Sequence, residues 1–189
     1  MNNRNIQFEA TALRCKSWRR PAVTGLLIPL LFACFAVFIS ATTPAVAGQE
    51  VPFTGTVSGQ IPADLGPPVP GTGGCVFSVS LANSGNATVL GSFTGTANFV
   101  PNLCDLSITG TFEWVAANGD RISGPFLGQL IPTATPGVFN NVETAVITGG
   151  TGRFKHATGM FTLYGQVNLN TGTFVLPWLG TIQISGRNR

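Results

Sequence analysis

Ser107-Ile108-Thr109-Gly110-Thr111-Phe112-Glu113-Trp114 is the stretch that decides the fold. Ile108, Gly110, Phe112 and Trp114 fall on one side at a spacing of two, and Ser107, Thr109, Thr111 and Glu113 fall on the other. A period of two is the mark of a strand with one packed face and one wet face. The preceding run sets Phe93, Ala97 and Phe99 against Ser92, Thr94, Thr96 and Asn98. A later run sets Phe161, Leu163, Val167 and Leu169 against Thr162, Tyr164, Gln166 and Asn168. In each case the packed face is apolar and the wet face is polar with little charge.

Outward from these runs, strand patterns rich in Thr, Val, Phe and Ile recur from Phe53 to Ser185 without helical periodicity. Eight strands are expected, near 52–60, 74–82, 87–100, 104–117, 121–131, 140–148, 158–168 and 173–185. Asn83-Ser84-Gly85-Asn86, Ala117-Asn118-Gly119-Asp120 and Asn170-Thr171-Gly172 carry the Gly and Asn of tight hairpin turns. Short hairpins make neighbours antiparallel, so the chain reads as an up-and-down meander. Pro62 to Gly74 is too rich in Pro and Gly for strand or helix.

Eight such strands with no helix to cover them are best satisfied when the sheet closes on itself, because closure removes exposed edges. The expected class is therefore all-β, an eight-stranded antiparallel up-and-down β-barrel of calycin-like type. A two-sheet β-sandwich is the alternative. An outer-membrane barrel is disfavoured, since its aromatic girdles would need more than the single Tyr present.

The first 47 residues read differently. Arg4, Arg14, Lys16, Arg19 and Arg20 precede an almost wholly apolar run from Ala22 to Ile39, and Ala45-Val46-Ala47 supplies small residues in the order a signal peptidase cuts. The expected organisation is a signal peptide over 1–47 and a single barrel domain over 48–189. An uncleaved anchor is the other reading of the apolar run, though Pro29 interrupts it. Cleavage implies a protein exported through the secretory pathway, with no stable membrane span afterwards.

The formal charge of +3 belongs to the leader. Beyond residue 47 five basic residues face six acids, dispersed along the chain, so there is no electrostatic footprint for a phosphate backbone and nucleic acid is not an expected partner. Cys75 and Cys104 remain after cleavage, in a compartment where disulfides persist, and a bridge between them is expected. It requires one cysteine to sit in the bend around Pro101-Asn102-Leu103, because strands two apart lie about 10 Å apart.

Catalytic patterns are sparse. His156 is the single histidine, no G-x-S-x-G elbow is present, and the acids show no calcium-loop spacing, so neither a metal site nor a cofactor is expected. Glu143 stands out because it shares strand parity with Ala145 and Ile147. Turned inward, it would gain proton affinity from desolvation and serve as an acid or base. Its place after Asn140 and Asn141 also allows a wet, frayed strand start, the usual position of an acid.

Ile147-Thr148-Gly149-Gly150-Thr151-Gly152-Arg153-Phe154-Lys155-His156-Ala157-Thr158-Gly159 resembles the Gly-Gly-Thr-Gly, Phe, Ala, Gly segment of the allene oxide cyclase and dirigent-like barrels. Residues 85–91 and 117–120 are similar to segments of uncharacterised exported bacterial proteins of that barrel type. The resemblance implies an eight-stranded barrel whose interior, in the plant cyclases, folds a reactive fatty-acid epoxide and, in dirigent proteins, steers radical coupling. It implies possible homo-oligomers, as the cyclases associate in threes. No active-site residue carries over, because only the Gly-rich segment matches. Within that segment Phe154 and Ala157 can form one helical turn plugging a barrel end. Alternatively Gly149, Gly150, Thr151, Gly152, Arg153, Lys155 and His156 can hold an anionic head group.

The leading expectation is a non-catalytic exported barrel that binds a small apolar or amphipathic, hydrophobic ligand. A cyclase- or isomerase-like enzyme using Glu143 is the second, and a solidly packed envelope protein the third. The state of the lumen separates them.

Overall fold

The computed structural model describes residues 48–184; the expected signal peptide over 1–47 lies outside the described residues. Among the described residues there are ten strands: β1 (Gln49–Pro52), β2 (Gly55–Gln60), β3 (Val79–Ala87), β4 (Gly91–Asn102), β5 (Ser107–Ala116), β6 (Arg121–Pro132), β7 (Val138–Ile147), β8 (Gly149–Gly150), β9 (Thr158–Asn168) and β10 (Thr173–Ile184). β1 and β2 run along the same edge of β10, joined through Phe53, whose N–H donates to the Gly180 carbonyl. β7 and β8 likewise share β6 on either side of Thr148. Counting each such pair as one bent strand gives eight.

Every pairing is antiparallel, and β10 bonds both to β2 and to β9, which closes the sheet. This is the expected barrel, and the closure excludes the sandwich. The inward faces are those the alternation assigned: Ile108, Phe112 and Trp114 on β5 and Phe161, Leu163 and Val167 on β9 are all buried. Outward positions on β6, β7, β9 and β10 include the exposed Leu127, Val142, Met160, Val175 and Leu179. No helix among the described residues is long and apolar enough to cross a membrane, which leaves strand crossing untouched.

The Ala117–Asp120 and Asn170–Gly172 turns form as read, with Gly119 and Gly172 at positive φ. Asn83-Ser84-Gly85-Asn86 does not. These residues lie inside β3, which starts at Val79 rather than near 74, and the chain reverses instead at Thr88-Val89-Leu90, ahead of Gly91 at φ 73°. The physical reason is packing: Gly85 lies opposite Phe93, and a Cβ there would come 2.6 Å from the end of that ring. Glycine at this position makes space for an aromatic ring in mid-strand.

Cys75 and Cys104 are disulfide-bonded, with Cα atoms 5.3 Å apart. The stretch before β3 pairs directly with the end of β4, through Val76 with Asn102 and a Leu103 N–H bond to the Cys75 carbonyl. Cys104 follows in the bend, so no intervening strand separates the two sulfurs.

Candidate functional site

The barrel has two unlike ends. At the base stand the turns 88–90 and 117–120 and the segment 148–157; at the mouth stand the long connection 61–78, the bend 103–106 and the turns 133–137 and 169–172. Six rings fill the lumen toward the base. Trp114 is at their centre, its ring 4.6 Å from Phe93, 4.8 Å from Phe112, 4.9 Å from Trp178 and 5.4 Å from Phe161, and Phe53 packs on Phe161 and Trp178. Rings of this size fit in a narrow barrel because glycines face them. Gly95 lies opposite Trp114 and Gly55 opposite Trp178, and a Cβ at either would come 2.5 Å from the indole.

The Gly149–His156 segment closes the base beneath this stack. Its single 3-10 turn, Gly152–Phe154, buries Phe154, and Ala157 is buried beside it. The amides of the turn are engaged within the fold: Thr148 with the Ser123 carbonyl, Thr151 with that of Arg121, Phe154 with that of Thr151, and Lys155 with that of Gly152. Arg153 holds the neighbouring turns together, donating to the Val89 carbonyl at 2.9 Å, lying 3.7 Å from the Asp120 carboxylate and covering the Phe154 ring. Lys155 and His156 are exposed. All these residues stand at the end opposite the mouth, so an anionic head group entering there would not meet them.

Toward the mouth the lumen is empty, a cavity of about 150 Å³. Its floor is Phe112, Trp114 and Phe161, its walls include Leu81, Leu163 and Leu176, and Ile61, Leu65 and Leu103 reach it from the mouth. The lining is almost wholly apolar, with two polar exceptions among its residues, Asn83 and Glu143. An engineered cavity of comparable size with an apolar lining stays dry and accepts benzene.

Glu143 is the sixth residue of β7, well inside the strand, so the frayed-start reading gives way to the inward one. It sits between Gly128 on β6 and Leu163 on β9, and the missing side chain of Gly128 leaves the space its own methylenes occupy. The residue keeps some accessible surface, but it lines the cavity, and its surroundings are apolar. Burial therefore raises its carboxyl from 4.5 to about 7, against a smaller opposing pull from the Asn141 amide.

Asn141, 1 % exposed, turns its amide toward the Glu143 carboxyl without closing a well-formed hydrogen bond, and Asn83 Oδ1, four strands round the barrel from β7, is unpartnered. Unpaired buried polar groups are costly and uncommon, and of the two Asn83 lines the cavity while Asn141 stands beside Glu143, which does. Neither asparagine is legible as a site residue, because Asn83 imitates a turn and Asn141 a strand end. Their one signal is strand parity with inward Leu81 and with Glu143. Among the described residues no group of three or more His, Cys, Asp or Glu is placed to hold a metal ion.

The raised carboxyl makes stability depend on pH. A carboxyl at about 7 in the folded chain and near 4.5 unfolded favours folding fully below 4.5, and this contribution is lost as pH rises through 7. The loss is on the order of 3 kcal/mol. Urea midpoints measured from pH 5 to pH 8 should fall for the natural chain more steeply than for Glu143→Gln. Parallel curves would show that Glu143 is not desolvated.

The class is thus a closed antiparallel β-barrel with a filled base and an apolar cup at one end. No protein-family profile matches the chain, and no curated protein matches it. It is similar to the solved structure of the pterocarpan synthase dirigent protein GePTS1, at 15 % identity and a TM-score of 0.49, over 80 % of this chain and 100 % of that one. It is similar also to the pterocarpan synthase dirigent protein PsPTS1, at 11 % identity and a TM-score of 0.46, over 74 % of this chain and 98 % of that one. Both likenesses are of fold, and the barrel itself rests on the strand pairing described above.

Proposed function

We propose that this is an exported binding barrel that takes one small, mainly apolar molecule into the cup. The observation that carries the reading is the shape of the lumen: packed with rings at one end, empty and apolar at the other. A solidly packed structural barrel would have no reason to leave that half unfilled, since each unfilled volume forfeits packing energy. Export is supported by the leader pattern before Gly48 and by the Cys75–Cys104 bridge.

Native mass spectrometry of the folded domain, mixed with small hydrocarbons and aromatics, tests the reading. One added molecule per chain is expected. Ala97→Phe, which places a ring into the cup, should abolish the added mass while leaving the thermal midpoint unchanged or raised, as cavity filling does. Binding that survives this substitution would put the ligand elsewhere.

A second reading, an isomerase- or cyclase-type enzyme, is favoured by one observation, a lumenal carboxyl poised near neutrality. A general acid or base works best with its pKa close to the working pH. Unchanged turnover in Glu143→Gln would exclude Glu143 from that role.

A further inference from the structure

We propose that the preferred occupant of the cup is a small organic amine, its ammonium set against Glu143 and its hydrocarbon against the aromatic walls; this rests on the cup being a binding site. Among the described residues Glu143 is the one ionisable side chain lining the cavity. Its inward neighbours are Asn141 and Ala145 on β7, Phe126, Gly128 and Leu130 on β6, and Phe161, Leu163 and Gly165 on β9, none of which titrates. The basic side chains Arg121, Arg153 and Lys155 are exposed, and the two ion pairs among the described residues, Arg121 with Glu113 and Arg153 with Asp120, lie outside the lumen. Among the described residues the carboxylate therefore has no counter-ion.

Three features of the lining select among ligands. A carboxylate or phosphate would meet a like charge and no cation, so anions are excluded. A neutral alcohol can bond the protonated acid but leaves the ionised form uncompensated. An ammonium supplies the missing charge and up to three donors, which the ionised Glu143, an acceptor only, can receive; Asn83 across the lumen adds an unpartnered carbonyl oxygen beside its own amide donor. Phe99, Phe112, Phe126, Phe161 and Phe174 line the same space, and aromatic rings attract cations that reach their faces.

The test compares four probes of one shape by calorimetry: toluene, 2-phenylethanol, 2-phenylethylamine and 3-phenylpropionate. At pH 8 the amine should bind at least about ten-fold tighter than the alcohol, and the propionate should not bind. In Glu143→Gln the amine should lose this advantage while the alcohol and toluene keep their affinities. With the natural chain, amine affinity should fall about ten-fold from pH 8 to pH 6, because a carboxyl at about 7 must give up its proton to pair, and the alcohol should show no such fall. The pH comparison needs no variant, so it stands even if Glu143→Gln folds poorly. Amine and alcohol binding equally at pH 8, or a preference that survives Glu143→Gln, overturns the amine assignment and leaves the binding cup intact. Failure of all four probes, toluene included, overturns both.

Discussion

Trp114→Ala is expected to remove about 3–5 kcal/mol of folding stability, the cost of deleting a large buried side chain. Trp114 is 3 % exposed and meets four other rings within 5.4 Å, so no single neighbour can move in to fill the gap without leaving another. A domain of this size is stable by only about 5–15 kcal/mol, so the thermal midpoint should drop on the order of 15 °C. Trp114→Phe provides the contrast. It keeps a ring in the stack and removes an indole N–H that has no hydrogen-bond partner, so its cost should stay below about 1.5 kcal/mol. Thermal and urea unfolding followed by circular dichroism would check both. Equal losses for the two substitutions would mean that the stack does not hold the base together.

The second large effect is expected from removing the bridge. Cys75 and Cys104 are 29 residues apart, and opening a loop of that length returns enough entropy to the unfolded chain to cost about 3.5 kcal/mol. The paired substitution Cys75→Ser with Cys104→Ser should lower the guanidinium midpoint accordingly, and reduction of the natural chain should do the same. The bend it ties is already held by side chains: Asn102 Oδ1 accepts the Cys104 N–H, and Asp105 Oδ1 accepts the Ser107 N–H and hydroxyl. Leu106 sits there at φ 62°, a conformation that costs energy for a leucine and persists because its surroundings impose it. Loss of the bridge should therefore free the 61–78 connection first, and binding in the cup should weaken along with stability. An unchanged midpoint would show that the loop is ordered without it.

Much of this fold is legible in the residues, and the part that is not has a physical cause. Strand parity at Ile108, Phe112 and Trp114 assigns the lumen directly, because a side chain's face is fixed by its position in the pleat. Turn chemistry succeeds at Asn118-Gly119 and fails at Asn83–Asn86, where the same residue types answer to a ring on the neighbouring strand and to a cavity. The true reversal, Thr88-Val89-Leu90, carries no turn residue before Gly91. Glu143 is found by parity, but whether it meets water depends on where β7 begins. Which half of the lumen is empty is not written in any one strand. It is set by ring sizes summed across eight of them, and the glycines that admit those rings, Gly55, Gly85 and Gly95, look the same in sequence as glycines that break strands.

The division of the lumen into a packed base and an open cup also bears on how such a chain can change over generations. Substitutions among the base rings and their facing glycines are coupled, because a glycine can be enlarged only after the ring it faces has been made smaller. Positions such as Leu81, Ala97 and Leu176 border the empty space instead. A lineage built on this barrel is free to exchange one cup for another while the base stays still, so new ligand preferences can arise by single steps without a passage through an unfolded ancestor.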